Sequence, residues 1–526
     1  MADSIPRFED SRIPVPEVPV DRMAELIRLA SLNWLIAMRF AEGLSSYTSA
    51  FASPALIASA IFAGQNRPAA GKVLTGEWLR DQLDLLGINF DLAIRAARSG
   101  LEAASAFHSR RWPEEVEAWT RWLLLLESED SKDLVQLLQH RFEQIDTVVR
   151  RYPEAIREIG KDFGFHFDDG DYTLKGETER FYFYQVLPKR PGVSVRKGAK
   201  PILVIPPAVL GPNILAFLPR DNRSFVHAFA NKGFPTYVRI TKPIADHPPV
   251  QLMSMEEDVT DTRRFCENLL REHGRPATLC GYCQGGFLAV LAVLSGELDG
   301  LVDALMTCVS PMDGTRSKGL TDYLSLLPPR FRELGYALKT LPNGNSVVDG
   351  ILMSWMYRLK SIEADNPVGT FYRDLEMIGR FPSPRRGISR TAAGVSHWLI
   401  YERVDLPEAI TRLSHISYTN PVSPDGTLPI RLFGRALNFT RIKEKKIDFL
   451  ICYAEKDNLV EPPSALAPAD FMEVRTAAYP KGHVAIATSC IDPEAGDSSY
   501  LCTSPGCIGP VEFQMEMDAK EGKDPS

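Results

Sequence analysis

The stretch from Thr278 to Leu291, Thr-Leu-Cys-Gly-Tyr-Cys-Gln-Gly-Gly-Phe-Leu-Ala-Val-Leu, constrains this chain more than any other. It reads as the end of a buried strand, a turn crowded with glycine, and the start of an apolar helix. Cys283 occupies the tip of the turn. Gly281 and Gly285, two residues before and two after it, are what such a turn needs when strand and helix approach too closely to leave room for side chains. The helix that follows points its amino end at Cys283, and its free N–H groups and dipole favour negative charge in front of them.

This spacing is that of the G-x-S-x-G elbow of α/β-hydrolases, with cysteine where serine stands. G-x-C-x-G also arises by chance, and a cysteine on a buried turn is commonly an inert small apolar residue. The order of the remaining groups separates the two readings, because this fold carries nucleophile, then acid, then histidine. Tyr453-Ala454-Glu455-Lys456-Asp457 places a carboxylate in the loop after a buried strand, and Lys481-Gly482-His483 places a histidine in a loop soon after the next one. Singly, Asp457 reads as a solvated loop acid and His483 as a surface histidine. Jointly, at the right stations and in the right order, they make Cys283, His483 and Asp457 the expected triad. Asp313, after the strand that ends at Ser310, ranks second as the acid. Cys280 points into the sheet and reads as core. The expected oxyanion donors are the backbone N–H of Gln284 and one from the loop after Pro206-Pro207, at Ala208 or Val209.

Patterning around the elbow predicts an α/β chain with a mostly parallel sheet. Residues 1–19 are polar and proline-rich. From 20 to 165 every clear pattern is helical, with Leu79, Leu83, Leu86, Phe90, Leu92 and Ile94 recurring at helical spacing. A helical amino-terminal domain is therefore expected, with Ser49 to Gly64 as a buried hairpin interrupted by Pro54 and too short to span a bilayer. Strands alternate with helices between 166 and 492, which defines the catalytic domain. The alternation stops between about 314 and 446, where a cap or lid insertion is expected. Residues 493–526 thin into Asp, Gly, Ser and Pro and are expected to form a disordered tail.

A formal net charge of −7 gives the chain no general attraction for nucleic acid or an anionic membrane, so the expected partners are small molecules or proteins. The eight cysteines fall mostly inside apolar runs, which suits reduced thiols. Cys502 and Cys507 form a lone C-x4-C, and no metal site is expected from it. The amino terminus has no secretory pattern, and a cytoplasmic location is the expectation.

Several runs then resemble one family, the polyhydroxyalkanoate synthases, whose box is G-x-C-x-G-G. They are Ile205-Pro206-Pro207, Asn213-Ile214-Leu215, Asn222 to Val226, Gly233 to Tyr237, Gly281 to Gly286, Gly434 to Asn438, Ile447 to Leu450, Glu455-Lys456-Asp457 and Gly482-His483-Val484. The likeness covers roughly residues 170 to 490. The chain departs from the family at Leu210, Ala216 and Ile240 and lacks the Trp-rich ending of its longer members. The resemblance implies an acyltransferase that polymerises (R)-3-hydroxyacyl groups from coenzyme A thioesters, with Cys283 as nucleophile, His483 as base and Asp457 as its partner. It implies no bound cofactor, a homodimer, a growing polyester as second substrate, and contact with a polymer granule surface. The alternatives are a thioesterase, esterase or depolymerase of the same fold, and a catalytically silent granule-surface protein.

Overall fold

The computed structural model describes residues 20–65, 76–124, 132–361, 366–380, 388–489 and 508–520. Its centre is an eight-stranded sheet. The strands are β1 (Tyr172–Glu177), β2 (Phe181–Val186), β3 (Ile202–Ile205), β4 (Thr236–Thr241), β5 (Ala277–Tyr282), β6 (Val302–Cys308), β7 (Asp448–Ala454) and β8 (Arg475–Tyr479). They lie in the order β1-β2-β4-β3-β5-β6-β7-β8. β2 runs antiparallel to both neighbours, and every other pairing is parallel. This is the α/β-hydrolase fold that the elbow predicts. β3 and β5 are buried at every residue, as their unbroken apolar runs require of central strands covered on both faces.

The flanking helices follow local rules. Helix Met255–His273 starts at a capping box between Ser254 and Glu257 and stops at Gly274, whose φ of 69° is left-handed. Helix Gln284–Ser295 is apolar all round and buried at every residue. One side of it rests on the sheet. Against another lies the hairpin of Thr427–Leu432 and Arg435–Asn438, which sends Leu428, Ile430, Leu432 and Leu437 into the same core. The last part of the expected cap insertion, 314–446, is thus core covering. Its hairpin strand alternates buried Leu428, Ile430 and Leu432 with exposed Pro429 and Arg431, a period-2 pattern that marks a sheet face.

The chain divides into two compact units, and their borders differ from the expected domain borders at 165 and 166. The first comprises residues 1–49, 100–153 and 367–388, and the second 50–99, 154–366 and 389–526. Apolar residues explain the reassignment of 50–99. Ala58, Phe62, Leu85 and Leu92 pack in one cluster with Phe331, Trp355 and Leu406 of the second unit. In the first unit, Leu29 packs with Leu134, Val135 and Leu138. Within that unit Tyr47 donates a 2.7 Å hydrogen bond to Asp374, which ties residues 367–388 to it.

The amino-terminal helices are longer than expected. α1 (Val20–Gln65) runs unbroken through residue 54, and α2 (Gly76–Leu124) contains Pro113. α1 is no buried hairpin. Its stretch Met23–Gly64 is apolar and long enough to cross a membrane by length and composition alone, and 12% of an 18-residue apolar window in it is buried. Trp34, Met38 and Leu56 are among its exposed residues.

The expected disordered tail is also corrected in part. Residues 490–507, with Cys490, Cys502 and Cys507, and residues 521–526 lie outside the described residues, but Pro510–Lys520 is a helix. It buries Val511, Phe513 and Met517. Gln514 donates to the Lys200 carbonyl at 2.9 Å, Asp518 accepts from the Lys200 N–H at 2.7 Å and pairs with Arg275 at 2.9 Å, and Lys520 reaches Asp448 at 2.7 Å. These bonds clamp the entry to β3 and the start of β7. Phe513→Ala is expected to lower stability by about 3–5 kcal/mol, as for large core truncations. Urea unfolding checks this, and a loss under about 1 kcal/mol would show that the helix does not support the sheet.

Candidate active site

Steric contact builds the elbow. A Cβ on Gly281 would lie 2.3 Å from the Gly286 Cα, and one on Gly285 would lie 2.4 Å from the carbonyl oxygens of both Ile205 and Pro206. A Cβ on Gly286 would lie 1.9 Å from the Ser310 Oγ. Strand, helix and the loop after β3 therefore meet at backbone distance. Between them Cys283 adopts φ 51° and ψ −125°, a strained conformation for a residue with a side chain. Its N–H donates to the Cys308 carbonyl at 2.7 Å, and its own carbonyl accepts from Gly286 at 3.0 Å. The turn is held from both sides.

The loops after β7 and β8 bring the acid and the histidine together. Asp457 Oδ1 accepts from the N–H groups of Leu459 and Val460, both at 2.9 Å, and Oδ2 meets His483 Nδ1 at 2.7 Å. Asp457 is buried. With the carboxylate on Nδ1, the outward nitrogen of His483 is Nε2, a buried atom without a hydrogen bond of its own. Tyr282, the residue before Cys283, donates from its hydroxyl to the His483 carbonyl at 2.8 Å. Burial by itself lowers the pKa of His483, but the charges of Cys283 and Asp457 and the hydrogen bond to Asp457 outweigh it and push the pKa up to about 10.

Asp313 lies elsewhere in function. Its Oδ1 accepts from the Thr315 N–H at 3.2 Å, and its Oδ2 accepts from Arg316 Nε at 3.0 Å. Its carboxylate starts the short helical turn Gly314–Arg316. Cys280 is fully buried and contacts the Met306 sulfur at 3.7 Å, inside the sheet as expected.

Cys283 and His483 line a cavity of about 590 Å³, within the range of small-molecule sites. Gln284, the first residue of the elbow helix, lines it too, at a position where N–H groups have no intrahelical acceptor. From the loop after β3 the cavity wall is Val209 and Leu210. Ala208 lines an adjoining cavity of about 270 Å³ instead.

Several lining residues have no counterpart in the sequence reading. Trp398, on helix Arg390–Tyr401, donates from Nε1 to the Leu210 carbonyl at 2.9 Å. Lys360, on helix Gly350–Ser361, donates to the Asn458 carbonyl beside the acid. Glu402 accepts from the Asn213 amide at 3.1 Å. All three come from the insertion, where no motif marks a station.

Neither a family model nor a curated protein matches the sequence. Among solved structures, the chain is similar to DcsB in complex with its substrate analogue, at 16% identity and a TM-score of 0.34 over 66% of this chain and 98% of that one. It is similar to the thioesterase domain of a curacin biosynthetic pathway, at 14% identity and a TM-score of 0.31 over 60% and 94%. Naproxen esterase (carboxylesterase NP) from Bacillus subtilis is similar at 12% identity and a TM-score of 0.30 over 65% and 93%.

Proposed function

We propose that the protein is an acyltransferase of the polyhydroxyalkanoate synthase type, which takes (R)-3-hydroxyacyl groups from coenzyme A thioesters onto Cys283 and passes them to a hydroxyl. The observation that carries the reading is Cys283 at a strained elbow, sharing an apolar cavity with a histidine whose other ring nitrogen is bonded to Asp457. Its sequence runs, which resemble that family, support it.

The chemistry follows from cysteine. His483 Nε2 takes the thiol proton, the sulfur attacks the thioester carbonyl, and CoA leaves as a thiol. This exchange of one thioester for another is nearly balanced, so the acyl group stays activated on Cys283. His483 then takes the proton of an incoming 3-hydroxyl, which attacks the acyl carbon and forms an oxyester, a downhill step. Asp457 keeps the proton on Nδ1 and stabilises the charged ring. The N–H of Gln284 and that of Val209, the loop residue that lines the cavity, would face the oxyanion. The reaction calls for no bound cofactor or metal. A cytoplasmic enzyme of this kind, acting as a homodimer, would hold a growing polyester, and the exposed apolar residues of α1 suit contact with a polymer surface.

Incubation with 3-hydroxybutyryl-CoA and 3-hydroxyoctanoyl-CoA, with CoA release and product size measured, tests the reading. Polymer or oligomer is expected. Free hydroxy acid alone would assign a thioesterase, and no CoA release at all would leave a silent scaffold. Cys283→Ser is expected to lose polymer formation far more than any residual hydrolysis, because an oxyester on serine is no higher in energy than the polymer bond. Equal polymer yield from Cys283→Ser would remove Cys283 as the acyl carrier.

Asp457→Asn is expected to slow CoA release by about 10³–10⁴-fold, the effect of a mis-set tautomer, while Asp313→Asn leaves it within about tenfold. Initial rates at saturating thioester decide, and the reverse ranking would reassign the acid. The raised pKa of His483 also predicts a pH dependence. Its folded pKa, about 10, lies above the unfolded 6.5, so the stability gained from the charged ring is whole below pH 6.5 and is lost as pH rises through about 10. The stability gap between wild type and Asp457→Asn should therefore close between those values. A gap that stays constant in urea unfolding across that window would rule out the charged pair.

A further inference from the structure

Cys283 and His483 are carried by strands that are not neighbours. β5 ends at Tyr282 and β8 at Tyr479, with β6 and β7 between them. At about 4.8 Å per step between strands, those two ends stand roughly 14 Å apart. Residues 480–483 must therefore lead back toward β5 for His483 to reach the cavity it shares with Cys283. Two hydrogen bonds hold it there. Asp457 takes the ring at Nδ1, at 2.7 Å, and Tyr282 takes the backbone, donating its hydroxyl to the His483 carbonyl at 2.8 Å. The carbonyls on either side serve the local turn, since Gly482 accepts from the Ala485 N–H and Val484 from the Thr488 N–H, both at 3.0 Å. The His483 carbonyl is reached from 201 positions away.

The tie is firm on the side of the strand. Tyr282 is fully buried, and its ring stands edge-on to Phe225 at 5.9 Å and to the His483 imidazole at 6.4 Å. Its backbone is in register with Cys308, whose carbonyl accepts the Cys283 N–H at 2.7 Å. Burial holds the phenol pKa well above its ordinary 10, so the hydroxyl stays a donor throughout the physiological range. A phenylalanine would fill the same space, which means that packing does not call for the hydroxyl. What the hydroxyl adds is a fixed span. Tyr282 and Cys283 are adjacent in sequence, so one rigid, enclosed side chain sets the distance from the backbone of the elbow to the backbone of His483. The bond from Asp457 acts on the ring from the loop after β7 and carries no link to the elbow.

We propose that Tyr282 is a positioning residue, which sets the separation between the Cys283 thiol and Nε2 of His483. The proposal rests on the reading in which His483 takes the Cys283 proton, and it assigns the group that keeps the two in reach of one another.

Tyr282→Phe in the full-length protein removes the hydroxyl and keeps the ring, and it keeps the charged groups that line the cavity, Lys360, Glu402, Arg403 and Lys481. Phe225→Leu loosens the packing of the same ring and leaves the bond in place, so it is the control for lost stability. Urea unfolding, CoA release from 3-hydroxybutyryl-CoA, and alkylation by iodoacetamide, read by mass spectrometry of the peptide that contains Cys283, are measured on both. Alkylation consumes thiolate, so it needs a base within reach and no substrate. Tyr282→Phe is expected to slow alkylation at pH 7 by about tenfold or more, with the deficit closing above about pH 9, where a thiol ionises without a base. Its kcat is expected to fall by about 10–100-fold, with KM within about threefold of wild type. Phe225→Leu is expected to leave both rates within about threefold, whatever stability it loses. Wild-type rates in Tyr282→Phe, or equal losses in the two variants, overturn the positioning role and leave the thioester reading standing. Slow alkylation of Tyr282→Phe, in a protein whose wild type releases no CoA, overturns the thioester reading and leaves the positioning role standing.

Discussion

Backbone contact at the elbow is the constraint on which the rest depends. The Gly285 Cα stands where any side chain would meet two carbonyl oxygens, and Gly281 and Gly286 press on one another. This contact lets the buried helix Gln284–Ser295 start directly over the ends of β3 and β5. It also leaves the residue at the turn no relaxed backbone, so Cys283 takes a positive φ, a strain of order 1–3 kcal/mol. The packing of a helix buried at every residue sustains that strain. In return the thiol stands clear of the sheet, in reach of a group carried by distant loops.

Electrostatics at the site is a contest between burial and charge. Removing His483 from water favours the neutral ring, and Cys283 and Asp457 favour the charged one; the charges win. Two backbone N–H groups and the imidazole satisfy the oxygens of Asp457 and hold it in place. Tyr282 links the strand under Cys283 to the backbone of His483. Elbow and histidine loop are thus one mechanical piece.

What was legible in the sequence lay where local chemistry dictates position. Glycine spacing located the elbow, and strand ends located Asp457 and His483, because loops at the carboxyl ends of parallel strands open on one edge of the sheet. Asp313 stood at the second-ranked station, and three-dimensional contact separates it further, since its carboxylate is taken by Thr315 and Arg316. The insertion was illegible for a different reason. Lys360, Trp398 and Glu402 reach the cavity through tertiary packing, and nothing in their immediate neighbours marks them. Proline misled at Pro54, through which the helix continues. The helix Pro510–Lys520 was hidden behind a run of Asp, Gly, Ser and Pro.

That helix bears on how the protein is made. Gln514 and Lys200 are bonded across 314 positions of sequence, and Asp518 and Lys200 across 318. Contacts of such long range form late, because the loop they close is costly in entropy before any contact rewards it. During synthesis the entry to β3, which leads to the crowded floor of the elbow, waits uncovered while the 314 to 318 residues that separate it from its clamp are made. The central strands are exposed to wrong pairing for that interval. A chain cut short before residue 508 would keep Cys283, Asp457 and His483 and still lack the clamp on the strand beneath them.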